Sequence, residues 1–172
     1  EDACALMHAV ETREDDMHEY ALIVLCDGMG GYDAGEVASA LAIQTLRKTL
    51  LQHKMFAALA GETPPTPGTF SVDECKKLIH SALKETNKTV NQAPRNGIGK
   101  RGMGCTAEVV YVDGRNVIVG HVGDSRTYHL HEGTLVQLTR DQTLVNRLVE
   151  LGSLTEAAAE PHPRRNALQQ AT

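Results

Sequence analysis

The chain has 172 residues, enough for one domain with a real core. Its composition, 41% hydrophobic and 23% charged, is that of a soluble globular protein, and a net charge of −5 argues against nucleic acid as the main partner. No apolar run reaches the length a bilayer requires, which excludes a membrane-spanning helix from the expected elements.

With four Tyr, two Phe and no Trp, the core falls to Leu, Val, Ile and Ala. The only dense basic cluster, HPRRN at 162–166, is too short for a nucleic-acid footprint. Cys4, Cys26, Cys75 and Cys105 lie far apart with no CxxC pair, so they read as reduced, mostly buried thiols of a cytoplasmic protein. The chain opens on EDAC without an initiator Met, as a trimmed piece of a longer protein would.

In chain order, the first clear element is ALIVLC at 21–26, a short apolar run suited to a buried strand. It ends at Asp27, and a glycine-rich loop follows. Asp33 and Glu36 have capping-box spacing ahead of a helix that carries Val37, Leu41, Leu46 and Leu50 on one face. GETPPTPGTFS at 61–71 is a loop. Ser71 and Glu74 form a second capping box before a surface helix over 73–93, with a weaker stripe of Leu78, Ala82, Leu83 and Val90.

PRNGIGKRGMG at 94–104 connects to a region of period two. CTAEVVYVDG and NVIVGHVGDSRTYHL, joined at Asp113–Gly114, predict a hairpin, and HEG at 131–133 turns into a further strand, TLVQLT. QTLVNRLVEL at 142–151 returns to helical spacing, with Gly152 as its stop. TEAAAE then makes a short turn that ends at Pro161. This order predicts one α+β domain over 1–172, with helices packed on antiparallel sheets.

Among these elements the loop CDGMGGYDAGEVAS stands out. A glycine loop entering a helix is a natural phosphate cradle, but no GxxxxGK is present and the dinucleotide template fails at Asp33. Asp27 itself would repel a phosphate unless a cation lay between them. Asp27 and the Gly28 carbonyl offer hard oxygens of the kind Mg²⁺ or Mn²⁺ takes, and such an ion would turn the loop attractive to phosphate. Taken alone, the loop reads first as a strand-to-helix turn with a solvated or capping aspartate. Glu1 and Asp2 at the chain start, and Asp124 beside Gly123 at a strand end, tip the reading towards a metal site.

Other residues have simpler readings. His129 and His131, two apart on a strand, share a face and read as solvated, with a metal pair as the alternative. Arg164–Arg165 beside Asn166 reads as a surface turn, or else as a contact for substrate phosphate. Arg126 is expected to pair locally with Asp124, and Met103 to fill the core.

Four motifs in this order resemble the metal-dependent protein phosphatases of the PPM, or protein phosphatase 2C-type, family, especially its bacterial Ser/Thr members. ED at 1–2 resembles the end of its opening acidic motif, and CDGMGGYDAGEVAS its DGMGG signature. GMGCT at 102–106 resembles its GMGTT strand start. GHVGDSRTYHLHEGTLVQLTRDQTLV resembles its GDSR motif and the segment that follows; beyond these four, HPRRNALQQAT resembles its next turn. The likeness covers essentially the whole chain.

The resemblance implies a β-sandwich of two antiparallel sheets flanked by helices, incomplete at the C-terminus, with about the N-terminal two-thirds of the domain present. It implies that Asp27 bridges two Mg²⁺ or Mn²⁺ ions and is the key catalytic residue, and that Gly28 offers its carbonyl to one ion. It implies that Glu1 and Asp2 hold the second ion directly or through water, and that Asp124 matches the ligand of a third, weaker one in bacterial members. The reaction implied is hydrolysis of phosphoserine or phosphothreonine by an activated water without a covalent intermediate, opposing a Ser/Thr kinase.

Departures from the family are specific. Its later SDG and DN aspartates and an arginine upstream of Glu1 have no match here, so the expected consequences are poor metal retention and little activity for 1–172 alone. Bare strand edges would also invite strand exchange between chains. Met29 stands where some eukaryotic members have a histidine, and reads as a mark of subtype. Two rival readings are a catalytically incompetent module that keeps the fold to bind a partner, and a metal-dependent anion or nucleotide binder.

Overall fold

The computed structural model describes residues 1–14, 16–66, 69–169 and 171–172. Two 11-residue strands, β1 (Ala3–Arg13) and β2 (Asp16–Cys26), run antiparallel in register from Ala3 opposite Cys26 to Arg13 opposite Asp16. β2 therefore begins well before the apolar run that marks it in sequence, and β1 is not apparent from sequence at all. After Asp27 come β3 (Gly28–Met29), α1 (Tyr32–Leu51) and α2 (Val72–Gln92). The strands β4 (Gly104–Cys105), β5 (Ala107–Asp113) and β6 (Asn116–Val122) follow. The hairpin β7 (Tyr128–His131) and β8 (Thr134–Gln137) and the short helices α3 (Leu144–Glu150) and α4 (Glu156–Ala159) close the chain.

β1, β2, β5 and β6 form one antiparallel sheet in the order β1-β2-β5-β6, while β3–β4 and β7–β8 are separate two-stranded ladders. This is the α+β class expected. The strand predicted across 116–130 is divided in two, because the chain leaves the sheet after Val122 and Asp124 lies in the connection. Period two explains the sheet's two faces. Leu22, Val24 and Cys26 on β2 are buried, whereas Ile23 and Leu25 between them are exposed.

The buried face carries α1 and α2. Ala38, Ala42, Leu46 and Leu50 of α1 and Ile79, Ala82 and Val90 of α2 join Leu22, Val24 and Val109 in one cluster. The rings of Phe56 and Tyr111 meet with centroids 4.5 Å apart, and the Tyr111 hydroxyl donates to the Met55 carbonyl at 3.1 Å. Such a pair adds about 1 kcal/mol beyond its buried area. The opposite face bears a row of Leu6, Ile23, Val110 and Val119 across the four strands, and Leu6 is 70% exposed.

The helix ends show where local spacing decides and where it does not. Ser71 and Glu74 form the expected reciprocal capping box, with Ser71 N–H donating to Glu74 Oε2 at 2.7 Å and Glu74 N–H to Ser71 Oγ at 3.2 Å. α2 is more deeply packed than expected of a surface helix, since its stripe also includes Cys75, Ile79 and Thr86. The Asp33–Glu36 box does not form. α1 is entered through Gly31, in a positive-φ conformation without a side-chain cap, which leaves Asp33 inside the first turn. There its carboxylate complements the helix dipole and meets Lys100 at 3.8 Å. The Pro- and Gly-rich loop expected at 61–71 includes Pro67 and Gly68, which lie outside the described residues, as does Gln170 in the last motif.

Candidate metal centre

Asp27 is the single residue between β2 and β3, and its backbone is held on both sides by one neighbour. The Asp27 N–H donates to Thr106 Oγ1 at 3.0 Å, and the Thr106 N–H donates to the Asp27 carbonyl at 2.9 Å. Thr106 is buried between β4 and β5 and reaches onward, with its Oγ1 2.7 Å from Ser125 Oγ. A hydroxyl of one threonine thus ties the end of β2 to the loop that carries Asp124.

The Asp27 carboxyl is held above the usual carboxylate range. Partial desolvation is the leading cause, followed by the charge of Asp2, a hydrogen bond with Asp2, and the charges of Asp124 and Glu1. The acids singled out in sequence, contributed by three separate segments, are therefore gathered around one carboxylate. Among the described residues, no three His, Cys, Asp or Glu side chains close on a common point as they stand. Like charges assembled this way oppose folding unless something cationic offsets them.

Backbone packing gives Gly28 and Gly35 their purpose. A Cβ on Gly28 would lie 2.5 Å from the Gly35 carbonyl carbon and 2.6 Å from the Glu1 carbonyl oxygen. A Cβ on Gly35 would meet Glu1 Oε2 at 2.7 Å and the Gly28 carbonyl at 3.0 Å. The chain start, the β2–β3 junction and the first turn of α1 converge here so closely that no side chain fits. Ser39 on α1 completes the seat by donating its hydroxyl to the Glu1 carbonyl at 2.7 Å. Carboxylates and a glycine carbonyl are hard oxygen donors, and this set fits Mg²⁺ or Mn²⁺ better than softer metals.

Asp124 also borders an open cleft of about 550 Å³ lined by Arg126, Arg140, Asp141, Arg165 and Asn166, among others. Arg126 does not pair with Asp124 as expected. Its guanidinium grips Asp141 with both arms, Nε to Oδ1 at 2.8 Å and Nη2 to Oδ2 at 2.6 Å, because the loop turns that side chain away to a fork-shaped partner. Arg140 pairs with Glu150 at 3.1 Å. Arg165 and Asn166 of the HPRRN turn reach the cleft, and so stand closer to the site than a surface turn requires. His129 and His131 stack at 5.8 Å on the exposed β7–β8 hairpin, in keeping with a solvated face, and Met103 is buried as expected. Thr106, Ser125, Gly35 and Ser39 have no signal of their own in the sequence; only the fold shows that they hold the acids.

The comparisons with known proteins agree with this geometry. The sequence model of the family described as "Protein phosphatase 2C" matches residues 1–150. The chain is 31% identical over 150 residues to the serine/threonine phosphatase stp of Listeria welshimeri, covering 87% of this chain and 54% of that protein. It therefore spans about half the length of that relative. The crystal structure of the serine/threonine phosphatase Stp1 from Staphylococcus aureus is similar at a TM-score of 0.73 and 29% identity, over 99% of this chain and 59% of that one. The catalytic domain of the protein phosphatase PstP, solved in complex with two manganese ions, is similar at a TM-score of 0.58 and 27% identity, over 99% of this chain and 66% of that one. The fold, the acidic motifs in their order and a family match over most of the sequence converge: this chain belongs to the protein phosphatase 2C family.

Proposed function

We propose that the chain supplies about the N-terminal two-thirds of a protein Ser/Thr phosphatase domain. The full-length protein then hydrolyses phosphoserine and phosphothreonine in proteins, opposing a Ser/Thr kinase in the cytoplasm. The observation that carries this reading is the packing of Glu1 against Gly28 and Gly35 beside Asp27, whose carboxyl is raised by the charges of Asp2, Asp124 and Glu1. The two manganese ions of the PstP catalytic domain support divalent metal as the cofactor, and four free thiols suit a reducing compartment.

In this reading Asp27 would serve both ions, the Gly28 carbonyl one of them, Glu1 and Asp2 the second, and Asp124 a third, weaker site. When bound, Mg²⁺ or Mn²⁺ supplies Lewis acidity towards water and the phosphoryl oxygens. The protein's own contribution is placement. Thr106 fixes the Asp27 backbone at both ends, Ser39 fixes Glu1, and the absence of side chains at Gly28 and Gly35 lets the acids approach. The cleft beside Asp124 then receives the phosphopeptide, with Arg165 and Asn166 offering donors along it.

The test is Mn²⁺-dependent hydrolysis of a phosphothreonine peptide by the full-length protein, with Asp27→Ala beside it. The proposal predicts turnover that is lost on chelation and falls at least about a thousandfold in the variant. A folded protein that binds Mn²⁺ without turnover favours the partner-binding module instead. Turnover that survives Asp27→Ala rejects the bridging role.

A further inference from the structure

His121, at the end of β6, stands between two groups that can only accept hydrogen bonds. Its Nδ1 lies 2.7 Å from Glu108 Oε1 on β5, and its Nε2 lies 2.9 Å from the Arg140 carbonyl. A carbonyl has no proton to give, so Nε2 must carry one. The Nδ1···Oε1 contact is too short for two bare lone pairs, so it too contains a proton, carried on the imidazole nitrogen that faces the carboxylate. Both side chains are largely buried, at 11% and 6% exposure, so water does not substitute.

The network extends to the loop of interest. Glu108 Oε2 accepts from the Thr127 hydroxyl at 3.3 Å. Arg140 leads into Asp141, which grips Arg126, and into Gln142, whose N–H donates to the Gly123 carbonyl at 2.8 Å while its Oε1 accepts from Gly123 N–H at 3.1 Å. The Thr127 N–H donates to Thr139 Oγ1 at 3.0 Å. Both flanks of Asp124 are thereby tied to the 138–142 segment, and that segment is tied to the sheet through His121.

We propose that the doubly protonated His121–Glu108 pair is a latch that positions the 123–127 loop, and that loss of its shared proton loosens the loop. His121 is a positioning residue, not a catalytic one. The charged groups around it are Glu108 on β5, Arg140 and Asp141 after β8, and Arg147 and Glu150 on α3, with the Cys4 thiol in the same cross-strand row on β1. The Glu108 hydrogen bond holds the His121 pKa above the ordinary histidine value, against the effect of burial. For such a group the stabilisation is present below the ordinary histidine range and is lost as pH rises through the raised value. The consequence for Asp124 rests on the phosphatase reading; the latch does not.

The test uses the full-length protein labelled with ¹⁵N in histidine and backbone. At pH 7 both His121 ring nitrogens carry protons. Hydrogen exchange at the Gln142 and Thr127 amides, corrected for intrinsic rate, loses protection as His121 deprotonates. In Glu108→Gln the glutamine amide donates to Nδ1, so protection persists and its pH dependence vanishes; in His121→Phe exchange at both amides speeds up about tenfold. A neutral His121 at pH 7, or protection that follows no His121 titration in the wild type, overturns the latch even if every variant misfolds. These readouts need no turnover, so their failure is distinct from failure of the phosphatase assignment.

Discussion

Gly28→Ala isolates the packing that brings the acids together. The added methyl group would meet the Gly35 carbonyl carbon at 2.5 Å and the Glu1 carbonyl oxygen at 2.6 Å, both backbone atoms that cannot rotate away. To reach the 3.4 Å of ordinary contact, Glu1 alone has to retreat by about 0.8 Å. Overpacking of this kind costs about 3 kcal/mol when no flexible side chain can give. It also exceeds by several-fold the roughly 0.2 Å tolerance of a metal site, so cation affinity should fall more steeply than stability. The control is Gly97→Ala: Gly97 has a left-handed backbone with open space around it, so the change costs about 1 kcal/mol and leaves metal binding alone. Chemical denaturation and Mn²⁺ titration calorimetry on the full-length protein read both quantities. Wild-type stability and Mn²⁺ affinity in Gly28→Ala would refute the reasoning.

Other perturbations address separate parts of the account. Asp27→Asn should raise the metal-free melting temperature at pH 7, because the folded-state carboxyl is held above its ordinary range, and a group shifted that way destabilises the fold once ionised. The gain should vanish at pH 3, where the unfolded carboxyl is protonated too, and Mn²⁺ binding should be lost at any pH. Asp141→Asn should cost about 1 kcal/mol at pH 7, discounted for the half-exposed Arg126 partner. Arg126 holds the Asp141 carboxyl below the usual range, so that cost is present above the ordinary aspartate value and disappears as pH falls through the lowered one, as urea melts across pH 2–7 would show. Phe56→Ala, at a fully buried site against Tyr111, should cost about 4 kcal/mol in the same assay with no specific effect on Mn²⁺.

The parts of this protein legible in sequence are those set by neighbours a few residues away. Ser71 and Glu74 face each other across one helical turn, and the Asp113–Gly114 turn joins β5 to β6, so spacing alone sufficed. β1 is not legible because ACALMHAVETR alternates weakly in hydrophobicity: its inward apolar residues are Ala and Met, and Leu6 and Val10 lie on the exposed face. Asp33–Glu36 had the right spacing, but the backbone entering α1 is dictated by Gly30 and Gly31, both at positive φ. Arg126 chose Asp141, fifteen residues away, over Asp124, two away, because a fork needs a facing carboxylate and not merely a near one. The acids themselves were visible as types beside glycine. Their meeting depends on Thr106, Gly35 and Ser39, whose roles exist only in three dimensions.

Anomalous scattering at the manganese edge, from a Mn²⁺-soaked crystal of the full-length protein, tests the central claim most directly. The account predicts a peak within about 2.5 Å of an Asp27 carboxylate oxygen, with the Gly28 carbonyl in the same coordination shell. A map with no peak there, or with manganese bound only by other residues, would contradict it.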